Sequence, residues 1–263
     1  MTNSHDELVR FFDSLHRGAK PLVLPNAWDA GSARLIEDAG AEAIATTSAG
    51  VAWAAVAAAD DGSIGRQRVV ELVARVVAAV RVPVTADIED GYDDLASTIR
   101  GVMDAGAVGV NLEDGELSHP ERIETARRAA GRGLFLNARI DTYLRQLGDP
   151  ATRLQETLDR AAAYVAAGAD GVFVPGVTDP ETIAALAKEL DAPLNVMAGP
   201  GAPSVDELRG LGVARVSVGP AITLAAYAAV QKAARELLTD GTYHSLGTGF
   251  AEIDQLMGRH SHV

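Results

Sequence analysis

Asp104-Ala-Gly-Ala-Val-Gly-Val-Asn-Leu-Glu-Asp114 joins two kinds of backbone in eleven residues. The segment leading into it, residues 95–105, carries a helical pattern. Gly106 then stands where a helix ends in a left-handed residue, a conformation that glycine adopts without a Cβ penalty. Residues 108–113 form a short, mostly apolar run, which reads as a buried strand, and the run finishes in acids. The same phrase recurs as Asp38-Ala-Gly-Ala-Glu-Ala-Ile44 and as Ala166-Ala-Gly-Ala-Asp-Gly-Val172. Three helix ends thus feed directly into three buried strands.

Working outward, strand-like runs occupy residues 21–25, 43–46, 82–87, 108–113, 134–139, 171–175, 193–198 and 214–219. Helical patterns lie between them at 29–38, 67–80, 95–105, 120–130, 152–167, 180–190, 204–211 and 221–238. Apolar strands that alternate with helices are parallel strands covered by helices. Eight such units predict an α/β fold, a closed (β/α)8 TIM barrel, over an open doubly wound sheet. No Gly-x-Gly-x-x-Gly fingerprint follows the first strand, which counts against a dinucleotide-binding sheet. The chain of 263 residues suits one such domain, since these barrels need roughly 250. The barrel is expected over about 21–239, with a helical tail at 240–263. That extra C-terminal helix either caps its own barrel or is swapped onto a neighbouring subunit.

Composition narrows the partners. A formal charge of -13 disfavours nucleic acid and anionic membranes, both of which want a basic face. The absence of cysteine excludes disulfides, zinc–thiolate sites and a thiol nucleophile. No apolar run reaches the roughly 18 residues of a membrane helix, and the start lacks a signal-peptide pattern. A cytoplasmic location is expected.

In a parallel barrel the chemistry sits at the carboxyl ends of the strands. Asp87, Glu89, Glu113 and Arg139 all fall there. Alternation predicts that Asp87 and Glu89 share one side of their strand. Carboxylates without histidine or cysteine suit Mg2+ or Mn2+. Arg139 offers a planar fork for a carboxylate or phosphate, unless it simply pairs with Asp141 or another acid. Asp29, Asp90, Asp93 and Asp94 read more simply as caps of turns and helices. Asn26 could cap the helix after the first strand, or face a site. Asn137 and Asn195, at strand ends, could donate to a substrate. Ser48, Ala49 and Gly50 are small enough for their amides to approach a carboxylate. His119, in a loop, is either solvated or an acid.

These pieces resemble a known family. Pro-Asn-Ala-Trp-Asp-Ala, Thr-Thr-Ser-Ala-Gly-Val-Ala-Trp, Ala-Asp-Ile-Glu-Asp-Gly-Tyr, Asn-Leu-Glu-Asp and Asn-Ala-Arg-Ile-Asp-Thr-Tyr-Leu occur in the order found in the isocitrate lyase/phosphoenolpyruvate mutase superfamily, across residues 21–230. The resemblance implies a (β/α)8 barrel, Mg2+, and a small 2-oxo- or 2-hydroxycarboxylate or phosphonate that reacts through an enolate. It implies Asp87, Glu89 and Glu113 as metal carboxylates, Arg139 as the substrate-holding and catalytic arginine, and Ser48–Gly50 as carboxylate-binding amides. It also implies a site aspartate beyond that loop: spacing from Ser48 favours Asp60, and the following glycine favours Asp61. Asp60 is taken as the candidate.

Two departures shape the expected reaction. The loop of family lyases with its Lys-Lys-Cys-Gly-His motif is replaced by Glu113-Asp-Gly-Glu-Leu-Ser-His-Pro120. A mutase-type Lys/Asn/Ser loop is not evident either, and Pro175 stands where mutases carry a histidine. Carbon–carbon cleavage is the expected reaction, in a homodimer or homotetramer. Phosphonate or phosphoenolpyruvate chemistry is the alternative, and a non-catalytic keto-acid-binding barrel the second.

Overall fold

Each glycine of the repeated phrase turns a helix into a strand. Gly40, Gly106 and Gly168 have φ of 97°, 93° and 108°, a region that side chains with a Cβ rarely adopt. The computed structural model describes residues 4–57 and 62–258. In chain order these form α1 (His5–Leu15), β1 (Leu22–Leu24), β2 (Asn26–Ala27), α2 (Ala30–Asp38), β3 (Ile44–Thr46), α3 (Ser48–Ala54), α4 (Arg66–Ala79) and β4 (Val84–Asp87). There follow α5 (Leu95–Asp104), β5 (Gly109–Glu113), α6 (Pro120–Ala130), β6 (Phe135–Arg139), α7 (Arg153–Ala166) and β7 (Gly171–Val174). The chain ends with α8 (Pro180–Glu189), β8 (Leu194–Met197), α9 (Val205–Gly210), β9 (Arg215–Ser217), α10 (Ala221–Arg235), a π-helical turn (Glu236–Asp240) and α11 (Phe250–Gly258).

All pairings are parallel, in the order β1-β9-β8-β7-β6-β5-β4-β3-β2. The first strand, expected as one run, is broken at Pro25. Proline has no N–H for a ladder, so β1 pairs with β9 while β2 pairs with β3. The nine segments therefore make a nearly closed barrel of the (β/α)8 type. Asn26 stitches the seam: its Nδ2 donates to the Thr46 carbonyl at 3.0 Å, and its Oδ1 accepts from the Val218 N–H at 2.9 Å. Asn26 is thus a barrel clasp, whereas Asp29 is the helix cap, accepting from Ser32 N at 2.6 Å.

Outward-facing strand residues such as Ala86, Val110, Leu136, Val172 and Val196 are buried against Ile99, Ile123, Tyr164 and Leu186 of the helices. The lower barrel is closed by α1, absent from the sequence expectation. Phe12 of α1 is fully buried with Leu22, Leu24, Ala45 and Phe135. Its ring comes so close that a Cβ on Gly109 would lie 2.9 Å from Phe12 Cε1. The missed signal was a capping box: Ser4 accepts from Glu7 N, and Glu7 accepts from Ser4 N.

His16 ends α1 and stacks on Phe135 with ring centroids 4.1 Å apart. Burial, and then the positive charge of Arg215, hold its imidazole down at about 3. Between the ordinary value of 6.5 and 3, the unfolded chain binds a proton that the folded chain excludes. Stability from this group is complete above about pH 6.5 and is lost as pH falls toward 3. Urea midpoints should decline across that window, and less steeply in His16→Phe; equal slopes would refute the assignment.

At the other end of the chain, α11 rests on α2 of its own barrel. Leu256 is buried, and its carbonyl accepts from Arg34 Nη2 at 2.9 Å. By contrast α10 buries only Thr223 over its 15 residues. Among the described residues no helix is long and apolar enough to cross a membrane.

Candidate active site

The barrel register places Glu113 beside Arg139 and Asp87 beside Asn111, two residues before Glu113. Glu113, at the end of β5, is the register partner of Arg139, at the end of β6, and Asp87 ends the adjacent β4. Arg139 Nη1 lies 2.6 Å from Glu113 Oε2. Its Nε and Nη2 grip Asp141 at 2.7 and 3.2 Å. Arg145 reaches the same two acids, at 3.0 Å from Asp141 and 3.7 Å from Glu113. Burial disfavours the Arg139 charge, but Glu113, Asp87 and Asp141 outweigh it and raise the guanidinium above its ordinary range. Both readings of Arg139 meet here: it stands at the mouth and it is ion-paired.

Glu89 comes to the mouth by a different route from the one expected. The strand stops at Asp87, and Glu89 has φ of 52°, so strand alternation does not carry it there. Glu89 and Tyr92 are both left-handed non-glycine residues in one tight turn, a strained arrangement held by its surroundings. Glu89 Oε2 accepts from Gly62 N at 3.1 Å and Oε1 accepts from the Tyr92 hydroxyl at 3.0 Å. Burial and the nearby Glu89 charge raise Tyr92 far above the ordinary tyrosine range, so it stays a donor.

The neighbouring acids serve the backbone. Asp90 accepts from Tyr92 N at 3.0 Å, Asp94 caps α5 through Ser97 N, and Asp93 pairs with Arg66 at 3.3 Å. Asp114, quoted above only as part of a motif, anchors the following loop. It accepts from Asp141 N, Arg160 Nη1 and the Tyr164 hydroxyl at 2.9–3.0 Å. Burial raises its carboxyl despite those donors.

Ser48, Ala49 and Gly50 are not an open loop but the first turn of α3, and all three are buried. Packing explains the glycine: a Cβ at Gly50 would lie 2.6 Å from Thr223 Oγ1 and 2.7 Å from Thr47 Cγ2. Asn137 and Asn195 are 1% and 0% exposed, inside the barrel and below its mouth. Asn137 Nδ2 donates to Asn111 Oδ1 at 2.8 Å. Asn195 Oδ1 accepts from Ser217. Both asparagines, expected as substrate contacts, lie buried in the barrel interior, where Asn195 Nδ2 has no hydrogen-bond partner. Asp60 and Asp61 lie outside the described residues.

Beside Glu89 and Glu113 opens a cavity of about 370 Å3, bounded also by His119, Arg122 and Arg145. Its size suits a small ligand. His119 stands just before α6 with Nδ1 2.9 Å from Glu121, facing solvent in part. Among the described residues no three acidic or imidazole side chains already converge as a metal cage. Asp87, partly exposed at its strand end, with Glu89 and Glu113 close by, makes an all-oxygen donor set. That chemistry fits Mg2+, which retains most of its water and needs few direct protein ligands.

Comparison with known proteins gives the family and the fold. A family model described as phosphoenolpyruvate phosphomutase matches residues 12–238. An uncharacterized Mycobacterium tuberculosis protein is 38% identical over 253 residues, covering 92% of this chain and 94% of its own. Oxaloacetate decarboxylase 2 of Pseudomonas putida is 28% identical over 248 residues, covering 89% and 82%. A crystal structure from Burkholderia cenocepacia, provisionally described as a lyase/mutase, superposes with a TM-score of 0.87 at 40% identity, covering 95% and 96%.

Proposed function

The chain belongs to the phosphoenolpyruvate phosphomutase family, within the isocitrate lyase/phosphoenolpyruvate mutase superfamily, and from that premise we propose that it is a Mg2+-dependent lyase. Its substrate in this reading is a small 2-oxo- or 2-hydroxycarboxylate whose carbon–carbon bond breaks next to an enolate. The observation that carries the reading is that Asp87, Glu113 and Arg139 end three adjacent strands, with Glu113, paired to Arg139, lining a cavity of about 370 Å3. Similarity to the Pseudomonas decarboxylase supports carbon–carbon cleavage, while the phosphomutase family model keeps phosphonate chemistry as the second reading.

In this mechanism Asp87, Glu89 and Glu113 would hold the metal, and Asp60 is the proposed additional site acid. When bound, the divalent ion supplies electrophilic stabilisation of negative charge developing on an α-oxygen. Arg139 holds the substrate and offsets its charge; Glu113 and Asp141 fix the orientation of its fork. The Ser48–Gly50 amides bind the carboxylate. Without a cysteine loop, the proton comes from a group not shared with the cysteine-dependent lyases.

The test is turnover of a panel with Mg2+: oxaloacetate, 2-methylmalate-type acids and phosphonopyruvate. Formation of a pyruvate-type product from a carbon–carbon substrate supports the proposal. Phosphate release from phosphonopyruvate alone replaces it with phosphonate hydrolysis. Metal-dependent binding of oxalate with no turnover of any member replaces it with a binding barrel.

The same reading includes a homo-oligomer. Leu224, Val230, Leu238 and Phe250 are 53%, 66%, 84% and 86% exposed along α10 and the tail. Large apolar side chains exposed along the same part of the chain support an association surface. Light scattering should give a dimer or tetramer of the 27.3 kDa chain, and Leu238→Asp with Phe250→Asp should lower the mass. A wild-type monomer would refute this part.

A further inference from the structure

The barrel interior holds a charge that the proposed chemistry does not use. Arg215, on β9, is 0% exposed. Its Nη2 donates to Asn111 Oδ1, on β5, at 3.2 Å. In the strand order β9 and β5 are four positions apart, so the side chain crosses the barrel interior. Asn111 Oδ1 also accepts from Asn137, which makes a polar layer where such barrels ordinarily carry branched apolar side chains. Nε and Nη1 of Arg215 have no hydrogen-bond partner, and none of its nitrogens lies within ion-pairing distance of a carboxylate among the described residues.

A buried guanidinium without a paired anion destabilises the fold, and an apolar residue of similar volume would stabilise it. Asn111, the acceptor of Arg215, is the register partner of Asp87 on the adjacent strand, and Asp87 is the carboxylate whose charge favours that of Arg215. Coupling of this kind is reciprocal. A positive charge below the row of acids disfavours a cation above and favours an anion there.

We propose that Arg215 is a positioning residue that sets the charge balance of the mouth from inside the barrel, weakening bare metal binding while strengthening binding of the anionic substrate. The proposal rests on the metal-and-carboxylate reading above. It predicts opposite signs for two affinities, which mere structural support would not produce.

The experiment compares wild type, Arg215→Met and Arg215→Lys by titration with Mn2+ alone, then with oxalate at saturating Mn2+, alongside thermal melting. Arg215→Met should bind Mn2+ about tenfold more tightly and oxalate about tenfold more weakly, the scale of one charge acting across a partly buried site. Arg215→Lys should stay close to wild type in both. Should wild type bind neither Mn2+ nor oxalate, the metal-site reading falls. Should wild type bind both while Arg215→Met changes neither, or weakens both, the role of Arg215 falls alone. Arg215→Gln, which keeps donors in the polar layer, serves where the Met variant does not fold. If neither neutral variant folds but Lys does, the residue is structural and the inference is overturned.

Discussion

Asp87→Ala is expected to abolish metal-dependent turnover, lowering kcat/KM on the order of 10³-fold, the scale on which loss of a key electrostatic group acts. Mn2+ titration should show the accompanying loss of the metal. Asp87 is partly exposed and accepts from Glu89 N at 3.3 Å, and its charge also favours those of buried Arg139 and Arg215. The melting temperature should therefore fall as well, and the Mn2+ titration, made on folded protein, separates loss of the metal from loss of stability. Asp87→Asn should behave in the same way, because it keeps the shape but removes the charge. Unchanged metal-dependent binding in either variant would show that the metal site is elsewhere.

Arg139→Ala should damage both function and fold. Glu113 and Asp141 have side chains 7% and 0% exposed, and both pair with this guanidinium. Removing one partner of a buried ion pair typically costs about 3–5 kcal/mol, since the remaining charge is left uncompensated. Arg145 still reaches both acids, which places the expected loss at the lower end. Substrate affinity should fall together with stability. Arg139→Lys separates the two effects: it keeps a cation between the acids but cannot reproduce the fork. Stability should largely return while KM stays high. If Arg139→Lys restores neither, the arginine is a structural brace; if it restores both, a bidentate grip on the substrate is not required.

Much of the barrel was legible in the chain because its signals are local. A helix end, a left-handed glycine and an apolar strand occupy neighbouring residues, and Gly40, Gly106 and Gly168 do what the repeated phrase implies. Cap assignments were legible for the same reason, as with Asp29 and Asp94. Two helices escaped. In α1 the capping box at Ser4 was present but not connected to the barrel floor, and α3 hides in a run of small residues.

The site was legible as a set of residues but not as an arrangement. That Asp87, Glu113 and Arg139 end consecutive strands follows from their sequence positions. Glu89 looked like a continuation of the same alternation, yet its positive φ takes the backbone off the strand. Asn137 and Asn195 also sit on strands that lead to the mouth, and the barrel instead buries them below it. Sequence by itself therefore determined the alternation of elements, the parallel sheet and the acids and arginine at its carboxyl edge, all of which arise from short-range periodicity. Only the tertiary structure decided which inward-facing side chains reach the mouth, which fill the interior, and that Arg215 spans it to Asn111. Height within a barrel depends on the stagger between strands and on closure across Pro25, and neither is encoded in any single stretch of chain.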